Sequence, residues 1–265
     1  MEKHRETITA LIIAKNEERN IRECIGNVKW CDEIIVVDDM SIDRTPDIAR
    51  ELGAKVFRHE SCGNYNKQCE IGLENATSDW VFNIDADERM TMELKNEILE
   101  MLYTNSDFAA YSIPRKNYFL GKLMKHGGWY ERQVKLFRLK KGRYLYKRNL
   151  GVLTVDGKIG LLNSPVEHYP FKTISQFLNR QINYVIFEAN VMHEEEGIIG
   201  LDKIKYNLII RPLKLFFKIY IKKQGFRDGM HGFIFSVLNA WRYFARWAIY
   251  YNRYIMKGDE RYEKV

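Results

Sequence analysis

Residues 80–88 read Trp80-Val-Phe-Asn-Ile-Asp-Ala-Asp-Glu88, an apolar run that stops at a cluster of acids. A short apolar run of this kind predicts a buried strand. Asp85 and Asp87 then fall at the carboxyl end of that strand, one residue apart. Two carboxylates spaced in this way can share a hard divalent cation, which in turn can hold a diphosphate.

Strands and helices alternate on both sides of this run. The pattern predicts strands at 8–14, 33–38 and 55–58 and helices at 17–29, 46–52 and 64–75. Thr45, before Pro46, is interpreted as an N-cap, Gly53 as a helix end, and Thr91 as the cap of the helix after residue 90. Such repetition predicts a parallel sheet covered by helices on both faces.

Acidic and amide groups follow three of these strands, as Ala14-Lys-Asn-Glu17, Asp38-Asp39 and Asp85-Ala-Asp87. Ligands of an open parallel sheet bind outside the carboxyl ends of its strands, so we expect these groups to converge at one edge. Asp-x-Asp alone is also typical of solvated loops and helix caps. The neighbouring Asp38-Asp39 favours a binding site.

The net charge of +7 is distributed unevenly along the 265 residues. Residues 1–100 carry 13 Lys and Arg against 22 Asp and Glu, residues 101–200 carry 15 against 8, and residues 201–265 carry 14 against 5. The three segments therefore have net charges of −9, +7 and +9. A bound metal would allow the acidic front to bind a polyanionic nucleotide, because the cation inverts the local sign of the charge.

The predicted secondary structure changes twice in the rest of the chain. Residues 109–170 show strand-like pieces between glycine-bearing loops, and from about residue 174 the pattern is helical. We therefore expect an α/β half at 1–105, a mixed β region at 106–172, and a basic, aromatic helical region at 173–265.

Three features bear on the compartment. The N-terminus is charged, without an apolar leader, which predicts a cytoplasmic protein. No uncharged run approaches the roughly 20 residues that a membrane-spanning helix needs. The spacing of the cysteines (Cys24, Cys31, Cys62 and Cys69) does not match zinc-ligand patterns, so free thiols are expected.

Several motifs resemble those of family 2 glycosyltransferases of the GT-A fold, namely Ile12-Ile-Ala-Lys-Asn-Glu17, Val36-Val-Asp-Asp-Met-Ser-Ile-Asp-Arg-Thr45 and Asn83-Ile-Asp-Ala-Asp-Glu88. Others resemble a narrower branch, the lipopolysaccharide-core heptose β-1,4-glucosyltransferases: Pro114-Arg-Lys-Asn-Tyr-Phe-Leu-Gly121, His126-Gly-Gly-Trp-Tyr130, Lys135-Leu-Phe-Arg138, His168-Tyr-Pro170 and Gly225-Phe-Arg-Asp-Gly229. The resemblance implies an α/β GT-A domain with a helical C-terminal extension at 173–265. Within that domain it implies a nucleotide-sugar-binding half at 1–105 and an acceptor-side mixed β region at 106–172.

The resemblance also implies roles for single residues. The donor nucleotide would be bound by Ala14, Asn16, Glu17, Asp39, Lys67 and Asp85. The family usually has a hydroxyl residue in place of Ala14, so a side-chain contact is lost there. Asp85 and Asp87 match the metal-binding Asp-x-Asp, with Asp87 ligating Mg²⁺ or Mn²⁺ directly and counted as catalytic.

An inverting transfer also needs a general base near the acceptor hydroxyl. The resemblance implies a carboxylate on the acceptor side, for which Glu131 is the candidate; the alternative is an exposed loop carboxylate. This chain is one residue shorter than its relatives at that point. Trp129 and Tyr130 are interpreted as acceptor-side residues that stack on a sugar ring, or alternatively as core aromatics.

One departure from the family falls at Asn149-Leu-Gly151. Relatives usually carry Val-His-Glu there, shortly before a triplet like Val155-Asp-Gly157. If those residues serve the acceptor or catalysis, this chain has a changed acceptor or weakened activity. If they are structural, the change is harmless.

Residues 201–265 hold 15 of the 35 aromatic residues as well as the charge of +9. Helices with aromatic faces and Lys or Arg edges suit the surface of an anionic bilayer. The alternative is that the aromatic stripe packs on the rest of the protein. Basic and aromatic surfaces also bind single-stranded nucleic acid, but without a nucleic-acid-binding motif we expect no such partner.

The resemblance, together with these observations, implies an inverting, metal-dependent enzyme on the cytoplasmic membrane face. It would move a hexose, glucose from UDP-glucose being the first choice, onto a lipid-linked saccharide such as a lipopolysaccharide core. The alternatives are transfer to polyprenyl phosphate or another cell-surface glycan precursor, and a catalytically weak membrane-bound scaffold.

Overall fold

The computed structural model describes residues 5–61, 64–104, 106–145 and 152–256. These residues fall into two compact units. The first comprises Met1–Lys116 and Glu131–Tyr169, and the second comprises Asn117–Tyr130 and Pro170–Val265, each within the described ranges.

Twelve strands and seven α-helices occur in the described ranges. The strands are β1 (Ile8–Ala14), β2 (Glu33–Asp38), β3 (Lys55–Arg58), β4 (Trp80–Asp85), β5 (Glu88–Met90), β6 (Ala110–Phe119), β7 (Lys122–Leu123), β8 (Glu131–Arg138), β9 (Gly142–Leu145), β10 (Val152–Val155), β11 (Ile159–Leu161) and β12 (Val166–Phe171). The helices are α1 (Ile21–Val28), α2 (Thr45–Glu51), α3 (Tyr65–Asn75), α4 (Met92–Leu102), α5 (Ile174–Glu196), α6 (Leu201–Phe217) and α7 (Gly229–Tyr250). A π-helical turn, Lys218–Lys222, and a 3₁₀ turn, Gly225–Asp228, connect α6 to α7.

One mixed sheet organises the first unit, in the strand order β3-β2-β1-β4-β8-β6-β12-β5. β1 pairs in parallel with β2 and β4, whereas β8 is antiparallel to β4 and β6. The register sets Ala14 beside Asp38 and Ile13 beside Asp85. The carboxyl ends of β1, β2 and β4 therefore lie at one edge of the sheet.

Helices cover both faces of the parallel strands, because β1 sends alternate side chains into two apolar clusters. Ile12 packs with residues of α1, α2 and α4. Leu11 packs on the other face with Cys69 of α3. The α3 backbone approaches closely at Gly72, where a Cβ would lie 2.2 Å from Leu11 Cδ1. The predicted two-sided cover is confirmed.

Helix ends agree with the sequence in one case and differ in another. Thr91 caps α4 by accepting a hydrogen bond from the Leu94 N–H at 3.2 Å. The prediction that Thr45 caps α2 is wrong, because Thr45 is already the first helical residue. Its hydroxyl instead donates to Asp43 and accepts from the Glu17 N–H at 2.8 Å, so it joins two loops.

The second unit is mainly helical and has two apolar clusters. One gathers Phe119, Phe171, Phe177 and Phe235. The other gathers residues of α5, α6 and α7 around Tyr250. The predicted fold class, α/β with a helical C-terminal region, is confirmed. In the part of the chain that the structure describes, no helix is both long and apolar enough to cross a bilayer.

The cysteine prediction is confirmed for Cys24, Cys31 and Cys69, which are free and buried. Cys62 lies outside the described residues. So does the segment Asn149-Leu-Gly151, where the sequence departs from its family.

Candidate active site

Helix α3 connects the ends of β2 and β4 through its first turns. The Tyr65 hydroxyl donates a hydrogen bond to Asp85 Oδ1 at 3.1 Å. Gln68 Nε2 donates to Asp39 Oδ1 at 3.3 Å. Lys67 lies between these two residues in the chain and is exposed. One helix thus holds two of the predicted donor-binding carboxylates and carries a third predicted residue.

Asp39 is a well-bonded carboxylate just after β2. It accepts hydrogen bonds from the Ser61 N–H and hydroxyl, both at 2.8 Å, and from Lys15 Nζ at 3.1 Å. Its own N–H donates to the Ala14 carbonyl at 2.8 Å, which ties it to the end of β1. Burial alone would raise the pKa of Asp39, but the hydrogen bonds from Ser61 and Lys15 lower it. Asp39 is therefore ionised at neutral pH.

Asn16 and Glu17 shape the loop after β1. Asn16 has a positive φ of 54°, donates from its N–H to Ser41 Oγ at 2.8 Å, and accepts from the Ile42 N–H at 3.0 Å. Glu17 is buried, and its carboxylate accepts from Asn20 Nδ2 at 2.6 Å. Both residues tie this loop to its neighbours, and their contact with a nucleotide stays a prediction.

A network of charges surrounds Asp85 and the buried Glu88. Lys135 Nζ lies 2.6 Å from Glu88 Oε2 and 3.7 Å from Asp85 Oδ2. Arg115 donates to Glu88 at 2.6 Å and to Asp85 at 3.2 Å. Glu88 also accepts from the Asp85 N–H at 3.0 Å. The network fastens the acidic turn to β6 and β8, which carry the two cations.

The network also sets the protonation of Asp85. Removal from water alone would raise the pKa of Asp85, but the charges of Lys135 and Arg115 lower it to about 2. Burial raises the pKa of Glu88, and the charge of Lys135 opposes that rise. Asp85 is therefore an anion across the physiological range.

Asp87 faces His168 of β12. Its Oδ1 lies 3.5 Å from His168 Nε2, and its carbonyl accepts from the Tyr169 N–H at 2.9 Å. Burial lowers the pKa of His168 to about 3, so the ring is neutral at neutral pH. A neutral imidazole can ligate a metal, whereas an imidazolium cannot.

The donor chemistry of Asp85, Asp87 and His168 fits Mg²⁺ or Mn²⁺, because hard cations take carboxylate oxygens and Mn²⁺ also accepts imidazole. No three acidic, His or Cys side chains within the described ranges are already arranged around a metal position. Asp85 instead shares its carboxylate with Arg115 and Lys135.

Glu131, the predicted general base, begins β8 opposite Arg115. Its carboxylate lies 3.7 Å from Arg115 Nη1 and accepts from Gln133 Nε2 at 2.8 Å. About half of the side chain is exposed. Glu131 and Asp85 therefore contact the same guanidinium, which brings the predicted base close to the acidic turn.

Trp129 and Tyr130 belong to the second unit. Trp129 stacks on Phe235 with ring centroids 4.7 Å apart and meets Phe119 edge-on at 6.4 Å. Tyr130 is half exposed. This aromatic packing accounts for the position of Trp129, and an acceptor-side role for either residue stays a prediction.

Four residues of this site have no role predicted from the sequence, although each lies in a motif that resembles the family: Glu88, Arg115, Lys135 and His168. One signal was available. Lys135 stands in the apolar run Val134-Lys-Leu-Phe137, and a charge within a buried strand requires a partner. The identity of that partner depends on the pairing of β8 with β4, which carries no local signal.

Comparison with known proteins places the chain in a family. Residues 9–166 match the model of glycosyl transferase family 2. The chain is 28% identical to the lipopolysaccharide core biosynthesis glycosyltransferase LpsC of Rhizobium meliloti, over 95% of this chain and 94% of LpsC. It is 32% identical to an uncharacterized glycosyltransferase of Rickettsia typhi, over 91% of this chain and 85% of the relative.

Among solved structures, glucosyl-3-phosphoglycerate synthase from Mycobacterium tuberculosis, in complex with Mn²⁺, UDP and glucosyl-3-phosphoglycerate, aligns at a TM-score of 0.47 and 17% identity. The alignment covers 74% of this chain and 82% of that protein. The family model spans more than half of the 265 residues and contains both acidic motifs. The chain therefore belongs to glycosyl transferase family 2.

Proposed function

We propose that this glycosyltransferase is an inverting enzyme that moves a hexose, with glucose from UDP-glucose as the first candidate, onto a lipid-linked saccharide such as a lipopolysaccharide core. One observation carries the proposal. The first unit gathers five side chains suited to the reaction around one edge of its sheet: Asp39, Asp85, Asp87, Glu131 and His168. The name of the relative LpsC supports the choice of acceptor class.

The donor would bind along the ends of β1 and β2. The ionised Asp39 accepts a hydrogen bond from the N–H of the base, and Ala14 contributes backbone only. Asn16 and Glu17 hold the adjoining loop against the nucleotide. Lys67, exposed on α3, faces the diphosphate, where its charge is favourable.

Asp85 and Asp87 would hold Mg²⁺ or Mn²⁺, with His168 as a neutral imidazole ligand beside Asp87. When bound, the cation offsets the negative charge that develops on the departing diphosphate. Arg115 and Lys135 keep Asp85 ionised, and Glu88 holds both cations in place.

In the transfer step the acceptor oxygen forms a bond to the anomeric carbon as the bond from that carbon to the diphosphate oxygen breaks. The electron pair leaves with the diphosphate, and Glu131 takes the proton of the acceptor hydroxyl. Attack on the face opposite the leaving group inverts the configuration. Trp129 and Tyr130 would border the acceptor.

The acceptor class implies a membrane. The second unit is strongly basic, which supports a peripheral location at an anionic membrane surface, on the cytoplasmic side. Transfer to polyprenyl phosphate or to another glycan precursor would use the same donor site, so acceptor assays alone separate these alternatives.

The test is turnover of a panel of UDP-sugars by the purified chain with Mn²⁺, with and without EDTA. We expect UDP to be released from one UDP-sugar of the panel, and the release to be accelerated by the metal and by lipopolysaccharide-core acceptors. If no UDP-sugar is hydrolysed or transferred under any condition, the scaffold alternative replaces the enzyme.

A further inference from the structure

Helix α6 carries apolar side chains on two opposite faces. One face packs inward through Ile204, Pro212 and, past the helix end, Ile219, which are all buried. The opposite face leaves a row of apolar side chains 41–58% exposed: Tyr206, Ile210, Leu213, Phe217 and, in the π-helical turn that continues the helix, Ile221. Their spacing of four, three, four and four residues keeps them on one side of the helix.

Helix α7 adds a second exposed row, Met230, Phe233 and Val237, at a spacing of three and four residues. The two rows meet at Phe216. Its ring lies 5.4 Å from that of Phe217 and 6.0 Å from that of Phe233. We call the five side chains of the first row and the three of the second row the outer stripe. Contiguous exposed apolar surface of this kind marks an interaction site in a soluble protein.

The segment that bears the α6 row is densely basic. Residues 201–228 contain eight cations: Lys203, Lys205, Arg211, Lys214, Lys218, Lys222, Lys223 and Arg227. All eight are exposed. The same segment has two acids, and one of them, Asp228, is buried and accepts from the His126 N–H at 2.8 Å. The surface around the outer stripe is therefore strongly positive.

The two arginines of α7 are used in ion pairs within the second unit. Arg242 pairs with Glu188 of α5, and Arg246 lies 3.3 Å from the same carboxylate. These arginines serve the packing of α7 on α5. On α6, Lys203 likewise pairs with Glu196 of α5, and the other seven cations of residues 201–228 add exposed positive charge to α6 and the turns after it.

We propose that the outer stripe docks on an anionic bilayer, with α6 in the plane of the interface. Its apolar side chains enter the boundary between headgroups and acyl chains, and the flanking Lys and Arg contact lipid phosphates. This combination of an apolar row with cations beside it is the pattern of interfacial helices. The inference rests on the proposed function in one respect: a lipid-linked acceptor is what would bring the protein to a membrane.

Other occupants fit the surface less well. A second copy of the chain seated on the stripe would bring two sets of eight cations together, which opposes association. RNA would use the cations but would leave Ile210, Leu213 and Ile221 in water, because bases stack on aromatic rings and phosphates need charge. An anionic lipid surface matches both the charge and the aliphatic side chains.

The experiment is co-sedimentation of the full chain with vesicles of phosphatidylcholine and phosphatidylglycerol, compared with vesicles of phosphatidylcholine alone. Leu213→Glu should weaken binding about tenfold or more, since it removes an apolar side chain from the interface and adds a negative charge beside anionic lipid. Leu161→Glu is the matched control, because this leucine is 64% exposed on β11 in the first unit. It should bind as the unchanged chain does.

A second pair of variants tests the charge. Lys218→Glu with Lys222→Glu should weaken binding to the anionic vesicles at least about tenfold, because two attractions to anionic lipid are replaced by repulsions. Lys29→Glu with Lys158→Glu, exposed in the first unit, should not. Circular dichroism confirms that each variant is folded.

Three results would overturn the docking surface. Equal binding of the Leu213 and Leu161 variants is the first, and equal binding to neutral and anionic vesicles is the second. The third is that Leu213→Glu abolishes formation of a dimer, or displacement of the protein from vesicles by RNA, while lipid binding is unchanged. UDP binding with Mn²⁺, measured on the same samples, separates the two proposals: vesicle binding without UDP binding overturns the proposed function alone, and the reverse overturns the docking surface alone.

Discussion

The two edges of the parallel strands in the first unit both bury carboxylates, but they compensate them differently. At the amino edge, Glu33 accepts from the Thr9 hydroxyl at 2.6 Å, from Lys55 Nζ at 2.6 Å and from the Thr77 N–H at 3.0 Å. At the carboxyl edge one guanidinium, that of Arg115, contacts Asp85, Glu88 and Glu131.

This difference distinguishes a structural carboxylate from the cluster that we propose as the active site. The amino edge has a cleft of about 370 Å³, lined by Thr7, Asp32, Glu33, Lys55 and other residues. The cleft alone does not mark an active site, because Glu33 is satisfied by neighbours within its own edge. At the carboxyl edge the carboxylates share their cations. A ligand that binds one of these carboxylates therefore changes the charge compensation of the others.

The largest effect is expected for Asp87→Asn at the carboxyl edge. If Asp87 is the direct metal ligand that we propose, its loss should reduce kcat/KM more than about 100-fold, since removing even one stabilising group of a transition state costs that much. Turnover of the UDP-sugar is the measurement. Asp47→Asn on α2, an exposed aspartate, is the control. Equal activity of the two variants would remove Asp87 from the metal site.

Glu131→Gln should lower kcat about 10²- to 10⁴-fold, which is the usual contribution of a general base. UDP affinity with Mn²⁺ should stay unchanged, because the amide retains the shape of the side chain. Glu93→Gln, exposed on α4, is the control. A Glu131 variant that keeps full kcat would show that another group accepts the proton.

Glu88→Gln and Glu33→Gln make the same chemical change at the two edges. Glu88 is fully buried against Lys135, which is 5% exposed, so its loss leaves a buried cation poorly compensated. Breaking such a pair should lower the free energy of unfolding by about 3–5 kcal/mol. Urea denaturation measures the difference, and a Glu88 variant as stable as the unchanged protein would contradict the network.

Glu33→Gln should cost only about 1–3 kcal/mol, because Lys55 can return to water and the amide still accepts hydrogen bonds. Burial alone would raise the pKa of Glu33, but the bonds from Lys55 and Thr9 hold it below its ordinary value of 4.5. Its stabilisation is therefore complete above that value and is lost as the pH falls through the lowered pKa. The difference in Tm between the unchanged protein and Glu33→Gln should therefore be full at pH 7 and should disappear in acid. Turnover should be unaffected. A difference in Tm that persists in acid would exclude this ionic origin.

The sequence predicted what short-range patterns encode. Apolar runs placed β1, β2 and β4, and the strand ends placed Asp39, Asp85 and Asp87 at one edge, because parallel strands align their carboxyl ends. The predicted role of Thr45 as an N-cap is wrong, because a hydroxyl residue before a proline occurs both at the N-cap and in the first turn of a helix.

The rest of the site depends on pairing between distant parts of the chain. Lys135 reaches Glu88 from β8, and His168 reaches Asp87 from β12, some 50 to 80 residues further along the chain. Antiparallel register of this kind has no signal in one sequence. Trp129 shows the same limit, because an aromatic residue has the same pattern whether it packs on Phe235 or stacks on a sugar.

Calorimetric titration of UDP into the purified protein, with Mn²⁺ and then with EDTA, tests the central claim that the acids of the carboxyl edge form a nucleotide–metal site. We expect UDP to bind with Mn²⁺, its affinity to fall at least about tenfold with EDTA, and the same loss in Asp87→Asn with the metal present. UDP affinity that is unchanged by EDTA and by Asp87→Asn would contradict it.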